Sequence, residues 1–124
     1  MEAFTTTTTL SLDDAEAAIR AALIERGFGV LTEIDIAATF KQKLDVDRPP
    51  LKILGACNPQ LAHRALTIDP AAALALPCNV VLEATAEGTR VSAVDPHAIM
   101  DDPAFAELAD DAAARLREAV ESLA

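Results

Sequence analysis

The chain has 124 residues, of which twenty are acidic and ten basic, so its formal net charge is -10. This charge argues against nucleic acid as a partner, because phosphate groups are repelled by an acidic surface. Trp and Tyr are absent and there are only four Phe, so stacking platforms for single-stranded bases are also scarce. No apolar run approaches the roughly 18 residues that a membrane span needs, and we expect no membrane partner.

The length fits a single domain over residues 1–124, large enough to bury a hydrophobic core. The N-terminal stretch MEAFTTTTTLSL has neither the basic start nor the long apolar segment of a secretory signal. With two cysteines and no export signal, the chain is expected in the cytoplasm with reduced thiols.

The first part of the chain predicts a strand, a helix, a second strand and a short helix. FTTTTT is β-branched and predicts an edge strand. Ser11 and Asp14 form a loose capping box for a helix that ends at Gly27. Residues 28–35 predict a strand with two faces, one carrying Phe28, Val30, Thr32 and Ile34, the other carrying Leu31, Glu33 and Asp35. Asp35 can then cap a short helix that reaches Leu44.

The second half of the chain begins with a predicted strand over residues 51–57. Asn58 and Pro59 follow it as an N-cap and a first-turn proline, which predicts a helix. Residues 79–94 alternate around Glu87-Gly88 and predict a hairpin. From Pro103 a long helix of about 30 Å is predicted, with one apolar stripe formed by Phe105, Leu108, Ala112, Leu116, Ala119, Val120 and Leu123.

This order of elements lacks a regular βαβ alternation. It predicts an α+β fold in which helices cover one face of a largely antiparallel sheet. The long C-terminal helix is the obvious cover for that face, although a partner subunit could also supply one.

The two cysteines are the first candidate site residues. Alternation places Cys57 on one strand face with Leu51, Ile53 and Gly55, and Cys78 on another with Val80, Leu82 and Ala84, so we expect both on apolar faces. The sulfurs would be close if the strands pair at matching depth, but the sequence does not give the register. Packing as a small buried hydrophobe is the preferred interpretation of Cys78, and Cys57 could also have that role. Cys57 also precedes a helix N-terminus, which favours a thiolate or a bound anion.

His63 lies five residues after Cys57, at the border between the apolar and polar sides of the predicted helix. As a metal ligand it would need Cys57, Cys78 or a carboxylate beside it, and the spacing is not typical of zinc sites. A nucleophilic Cys/His site would need a third orienting group, which the sequence does not identify. His97 follows Asp95-Pro96 in a turn and is expected to face solvent.

Glu33 and Asp35 form a second candidate site, with Lys43 as a possible neighbour. Their carboxylates would be roughly 7 Å apart on one strand face, a spacing that suits a general acid/base pair or a hard-metal site. A solvated strand face followed by an Asp N-cap has the same pattern. No P-loop, Rossmann glycine pattern, nucleophile elbow or HExxH helix occurs in the chain.

Several separated motifs carry a family resemblance: GFGVLTEIDIAATFKQKLDVDRPPLKILGACNPQLAHRAL, then LPCNVVLEA and VSAVDP. In this order they resemble the bacterial and archaeal family called domain of unknown function 302. The resemblance implies an α+β domain similar to the TATA-binding-protein-like fold, usually a homodimer, with no agreed activity. The fold name does not imply DNA binding, because function resides in sites and this chain is acidic. The family motifs map onto Glu33, Asp35, Lys43, Cys57, Asn58, Pro59, Pro77, Cys78, Asn79, Asp95 and Pro96.

The resemblance favours a cluster of Cys57, Asn58, Cys78 and Asn79 in one pocket near a dimer interface. Our preferred interpretation is a cytoplasmic homodimeric binding or accessory domain that holds a small ligand or partner there. The first alternative is a thiol-dependent redox, soft-metal or haem-binding protein that uses the two cysteines, with His63 as an extra ligand. The second is a small enzyme working through Glu33, Asp35 and Lys43. The sequence identifies no cofactor and no defined metal site, and it favours a protein that is not an enzyme.

Overall fold

A computed structural model describes residues 1–124, and it contains one five-stranded antiparallel sheet. The strands lie in the order β1-β5-β4-β3-β2. Their bounds are Ala3–Thr8 (β1), Gly29–Asp35 (β2), Leu51–Cys57 (β3), Cys78–Thr85 (β4) and Gly88–Val94 (β5). The helices are Leu12–Glu25 (α1), Ile36–Leu44 (α2), Pro59–Ile68 (α3) and Ala106–Glu121 (α4). The predicted α+β fold with a largely antiparallel sheet is confirmed.

Side-chain caps begin three of the helices where the sequence predicts them. The Ser11 hydroxyl accepts a hydrogen bond from the Asp14 amide at 3.2 Å, and Asp35 accepts one from the Ala38 amide at 2.9 Å. Asn58 caps α3 by accepting from the Leu61 amide. These bonds satisfy amides that have no partner within the helix, so the local pattern determines where each helix begins.

The long C-terminal helix begins later than predicted. Residues Pro103–Phe105 form a 3-10 turn capped by Asp102, and α4 begins only at Ala106. The helix therefore has 16 residues and is about 24 Å long at the usual rise per residue. Its predicted apolar stripe is confirmed, because every member from Phe105 to Leu123 is buried.

The hydrophobic core lies between the helices and one face of the sheet. From the sheet, the core receives Leu54, Ala56, Cys78, Val80, Leu82, Val91 and Ala93. From the helices it receives Ile19 and Leu23 of α1, Leu61 of α3 and Leu116 of α4. We call this side of the sheet the helix face. Burying apolar surface there supplies the main stabilisation of the fold.

The opposite side, here called the open face, carries side chains that are exposed or half-exposed. The strand register aligns one row of residues across it: Ile34, Ile53, Val81, Ser92 and Thr5. In the neighbouring row Thr32, Gly55 and Asn79 are aligned across β2, β3 and β4, and Val94 of β5 pairs with Ala3 of β1. Glu83 and Arg90 pair on the next row. Antiparallel sheets commonly leave one face without a helical cover.

An irregularity in β2 corrects the predicted faces of that strand. The register shifts between Val30, which pairs with Ala56, and Thr32, which pairs with Gly55. An extra residue in one strand reverses the alternation that follows it. Val30 therefore lies on the helix face while Thr32 and Ile34 lie on the open face, so these residues do not share the single face predicted for them.

None of the helices combines the length and the apolar character needed to cross a lipid bilayer.

Candidate functional site

Cys57 and Cys78 line one cavity that extends into the core and is partly open to solvent. Its volume is about 20 Å³, and eleven of its twelve lining residues are hydrophobic, among them Phe28, Leu61, Met100 and Leu108. Asn58 is the polar residue of the lining. We call this space the internal cavity. It is bounded by the last residues of β3, the first residue of β4, one side of α3 and one side of α4.

Strand alternation alone would separate the two cysteines. Cys78 pairs beside Ala56 on the helix face, whereas Cys57 follows the parity of Ile53 and Gly55 on the open face. Cys57 therefore shares a strand face with Ile53 and Gly55 as expected, but that face is the open one and lies opposite to the face that carries Cys78. Cys57 nevertheless lines the internal cavity, because it is the last residue of β3, where the chain leaves the sheet and enters α3.

Both thiols are shifted away from the thiolate form. Burial raises the pKa of Cys57, opposite to the effect expected from the neighbouring helix terminus. Burial, together with the nearby Cys57, raises the pKa of Cys78 to about 11. At neutral pH the two side chains are therefore neutral thiols in an apolar setting, which suits packing or metal-induced deprotonation better than spontaneous nucleophilic attack.

The predicted pocket of two Cys-Asn motifs is divided between the two faces of the sheet. Asn58 is 7% exposed and its side chain caps α3 beside the internal cavity. Asn79 lies instead in a groove on the open face with a volume of about 310 Å³. Leu74, Pro77, Val81, Ser92 and Ile99 also line it, and we call it the open-face groove. His63 is exposed on α3 and lines neither space.

The acidic candidates are occupied by structural contacts. Asp35 accepts the amide hydrogen bond that begins α2. Glu33 accepts from Lys52 at 2.6 Å and from Arg20 at 3.0 Å. Lys43 is exposed and forms none of the salt bridges, so the structure does not join it to the two acids.

Glu33 belongs to a closed ring of alternating charges that links α1, β2 and β3. Glu16 accepts from Arg20 and from Lys52, both at 2.9 Å, and Glu33 bonds the same two cations. The hydrogen bond from Lys52 holds the pKa of Glu16 below its usual range against the effect of burial. Hydrogen bonds to Glu16 and Glu33 raise the pKa of Lys52. Each of the four charged side chains is paired within the ring, so the ring joins α1 to the two strands and has a structural role.

Comparison with known proteins supports a family assignment. The model of the family described as Domain of unknown function DUF302 matches residues 4–123. The chain belongs to the DUF302 family. This result confirms the resemblance seen in the sequence motifs, and it extends over nearly the whole chain.

A solved structure has the same fold as this DUF302 chain. It is the crystal structure of an uncharacterized conserved DUF302 protein from Bacillus stearothermophilus, and the two sequences are 27% identical. The match covers 100% of this chain and 99% of that one, with a TM-score of 0.90. No match is found among curated proteins.

The DUF302 chain also contains a histidine bridge that the sequence predicts only in part. His97 is exposed as expected, but its ring nitrogens contact Asp95 and Asp110, each at 2.7 Å. Hydrogen bonds to Asp110 and Asp95 raise the pKa of His97. The contact joins the loop after β5 to α4.

Sequence reasoning missed several residues at these places in the DUF302 fold. Met100 lines the internal cavity although it follows no recognised motif. Lys52 completes the charge ring from a strand 19 residues beyond Glu33. Glu16 and Arg20 did carry a usable signal, because opposite charges four residues apart on a helix commonly pair.

Proposed function

We propose that this protein is a cytoplasmic homodimeric binding module, which takes a small ligand in the internal cavity and pairs with a second copy through the open face. The observation that supports it best is the combination of an apolar cavity beside the family motifs with a charge-balanced sheet face. A binding module with these two features would not need an acid/base pair, which an enzyme using Glu33 and Asp35 would. The unpaired thiols suit a reducing compartment such as the cytoplasm.

The internal cavity supports binding of a small and largely apolar species. A space that admits one water-sized sphere needs about 10–15 Å³ by this measure, so 20 Å³ accepts little more than a single atom or a small group. The cavity lining offers few hydrogen bonds to a water molecule, which favours an apolar or soft occupant. Haem, one form of the thiol-dependent alternative, is far larger than this space.

The open face supports contact between two copies because its charge is balanced. The charged strand residues of the open face are Glu83 and Arg90, which contact each other, and Arg48 from the loop before β3 also contacts Glu83. The whole chain has a net charge of -10, so most of its surface would repel a second copy. The open face avoids this repulsion. By strand spacing and rise it measures roughly 550 Å² in projection, below the roughly 800 Å² that each partner buries in a standard interface, so neighbouring loop residues would have to contribute the rest.

The open-face groove adds a self-complementary feature. Leu74 is 93% exposed and stands at the rim of the groove. In a two-fold dimer the same patch of both copies meets, so the projecting Leu74 of each copy can insert into the open-face groove of the other. Asn79 and Ser92 could provide hydrogen bonds there, while Val81 and Val94 provide apolar contact. We therefore place the second copy over this groove.

The cavity is tested with xenon, the smallest convenient apolar probe, and methyl NMR spectra of the protein. We expect saturable shifts of the Leu61 and Leu108 methyl signals in the wild type. Ala112→Val narrows the cavity and should abolish them, whereas Ala114→Val, on the exposed side of the same helix, should retain them. The two variants share the same change in helix propensity. Unchanged shifts in Ala112→Val would contradict binding at this cavity.

The dimer is tested by analytical ultracentrifugation of the full chain. Val81→Arg puts a charge in the middle of the open face and should convert a wild-type dimer into a monomer. Ile24→Arg is the matched control, because Ile24 is 69% exposed on α1 and belongs to neither the open face nor its groove. A wild-type monomer, or a dimer that survives Val81→Arg, would refute the proposed interface.

A further inference from the structure

Three of the four sulfur-containing side chains converge on the internal cavity. The chain has two cysteines and two methionines, and Cys57, Cys78 and Met100 all line this one space. They come from the end of β3, the start of β4 and the loop before α4, and are therefore brought together only by the fold. We propose that the internal cavity binds one Cu(I) ion between Cys57 and Cys78, with Met100 as a weaker third ligand.

The ligand chemistry favours a soft monovalent ion. Thiolates and thioethers select Cu(I), whereas carboxylates, carbonyls and water suit Mg²⁺, Ca²⁺ and Mn²⁺. No histidine or carboxylate lines the cavity. No group of three or more His, Cys, Asp or Glu side chains is positioned to hold a metal anywhere in the chain. Structural zinc almost always takes four such ligands, so this set suits Cu(I) better.

The size and surroundings of the cavity also suit such an ion. A volume of about 20 Å³ accommodates one atom-sized guest without rearranging the core. The walls are almost entirely apolar and provide few oxygen or nitrogen ligands that could compete with sulfur. A Cu(I) ion bound by two thiolates carries a net charge of -1, and the capped N-terminus of α3 begins directly after Cys57. The positive end of a helix dipole stabilises negative charge at that position.

The binding step is balanced without any change in oxidation state. Each thiol gives its proton to solvent as its sulfur forms a bond to the metal, so one Cu(I) replaces two protons. Copper enters and remains as Cu(I), and no electron acceptor is required. The inference rests on the internal cavity being the binding site of the proposed function, but it does not depend on the dimer.

The test is an anaerobic titration of the reduced full-length protein with Cu(I) against a competing chelator. We expect one copper per chain. Cys57→Ala and Cys78→Ala should each weaken binding by more than about 100-fold, since outer-shell changes alone cost 10–100-fold. Met100→Leu should cost about tenfold, as expected of a weak thioether ligand. His63→Ala, an exposed change on the neighbouring helix, should leave affinity unchanged.

X-ray absorption at the copper edge provides a readout that does not require a variant to fold. The wild-type complex should show sulfur as its only near neighbours. Nitrogen or oxygen neighbours would overturn the proposal, and so would unchanged affinity in Cys57→Ala, a substitution at a half-buried position. A wild-type chain two hydrogens lighter that binds no copper would instead make the pair a disulfide and overturn the copper site.

The xenon experiment separates this inference from the proposed function. If xenon enters the cavity and Cu(I) does not bind, the copper assignment fails while the binding cavity remains. If neither binds, both fail. If Cu(I) binds with the expected variant pattern, the inference is supported whether or not xenon enters.

Discussion

Replacing Gly55 with alanine should destabilise the sheet at the point where Pro77 packs against β3. An added Cβ would overlap the Thr32 hydroxyl oxygen and lie 2.7 Å from Cγ of Pro77. Thr32 is exposed and can rotate away. The Pro77 ring is rigid and directly precedes β4, so its displacement disturbs the strand that carries Cys78 and Asn79.

The size of this effect follows from two opposing contributions. Overpacking of this kind costs about 1–3 kcal/mol, while replacing a strand glycine with alanine returns about 0.5–1 kcal/mol of backbone entropy. Gly29→Ala is the matched control, because a Cβ there meets nothing within 4 Å. The difference in unfolding free energy between the two variants should therefore be about 1–3 kcal/mol, since the entropy contribution is common to both.

Urea denaturation followed by circular dichroism measures that difference. With the usual dependence on denaturant, Gly55→Ala should lower the unfolding midpoint by about 1 M, whereas Gly29→Ala should raise it slightly. Equal midpoints for the two alanine variants would show that Pro77 and Thr32 do not confine β3 as described. A destabilised Gly29→Ala would point to backbone geometry in place of packing.

Three further predictions concern the contacts around the two faces. Lys52→Met should cost about 1–3 kcal/mol at neutral pH, because the largely buried Glu16 loses one of its two hydrogen-bonded cations. The pKa of Glu16 is lowered in the fold, so this loss of stability should shrink as pH falls through that lowered pKa, as acid titrations of stability would measure. The pKa of His97 is raised in the fold, so its contribution to stability is complete below about pH 6.5 and is lost as pH rises through the folded pKa. The melting temperatures of His97→Gln and wild type should therefore differ at pH 5.5 and become equal in alkaline buffer. Asn58→Ala should cost about 1 kcal/mol through loss of the α3 cap, and Asn58→Asp should restore most of it in the same urea assay. Identical stability of Asn58→Ala and wild type would contradict the capping role.

The parts of the fold that depend on neighbouring residues could be predicted from the sequence. Asp35 and Asn58 each cap a helix through an amide three residues onward, and both helices begin where this spacing indicates. The apolar stripe of α4 follows the helical period and is buried as predicted. Pro103 shows the limit of such signals, since a proline that can open an α-helix here opens a 3-10 turn instead.

The candidate sites depend on pairings that local patterns do not contain. The extra residue between Val30 and Thr32 is defined only by the partner strand β3, so no local pattern indicates the change of face. Lys43 is nearer to Glu33 along the chain, but Lys52 contacts it because antiparallel pairing sets Asp35 opposite Lys52. Likewise, the two cysteines share a cavity because Ala56 pairs with Cys78.

The sheet order has a consequence for how the chain assembles during synthesis. Strands β2 to β5 are sequential neighbours, whereas β1 pairs only with β5, joining Ala3 to Val94. Strand β1 is therefore synthesised long before its hydrogen-bonding partner β5. Closing so long a loop is slow relative to forming local hairpins. Until β5 is synthesised, the threonine-rich segment has no strand with which to pair.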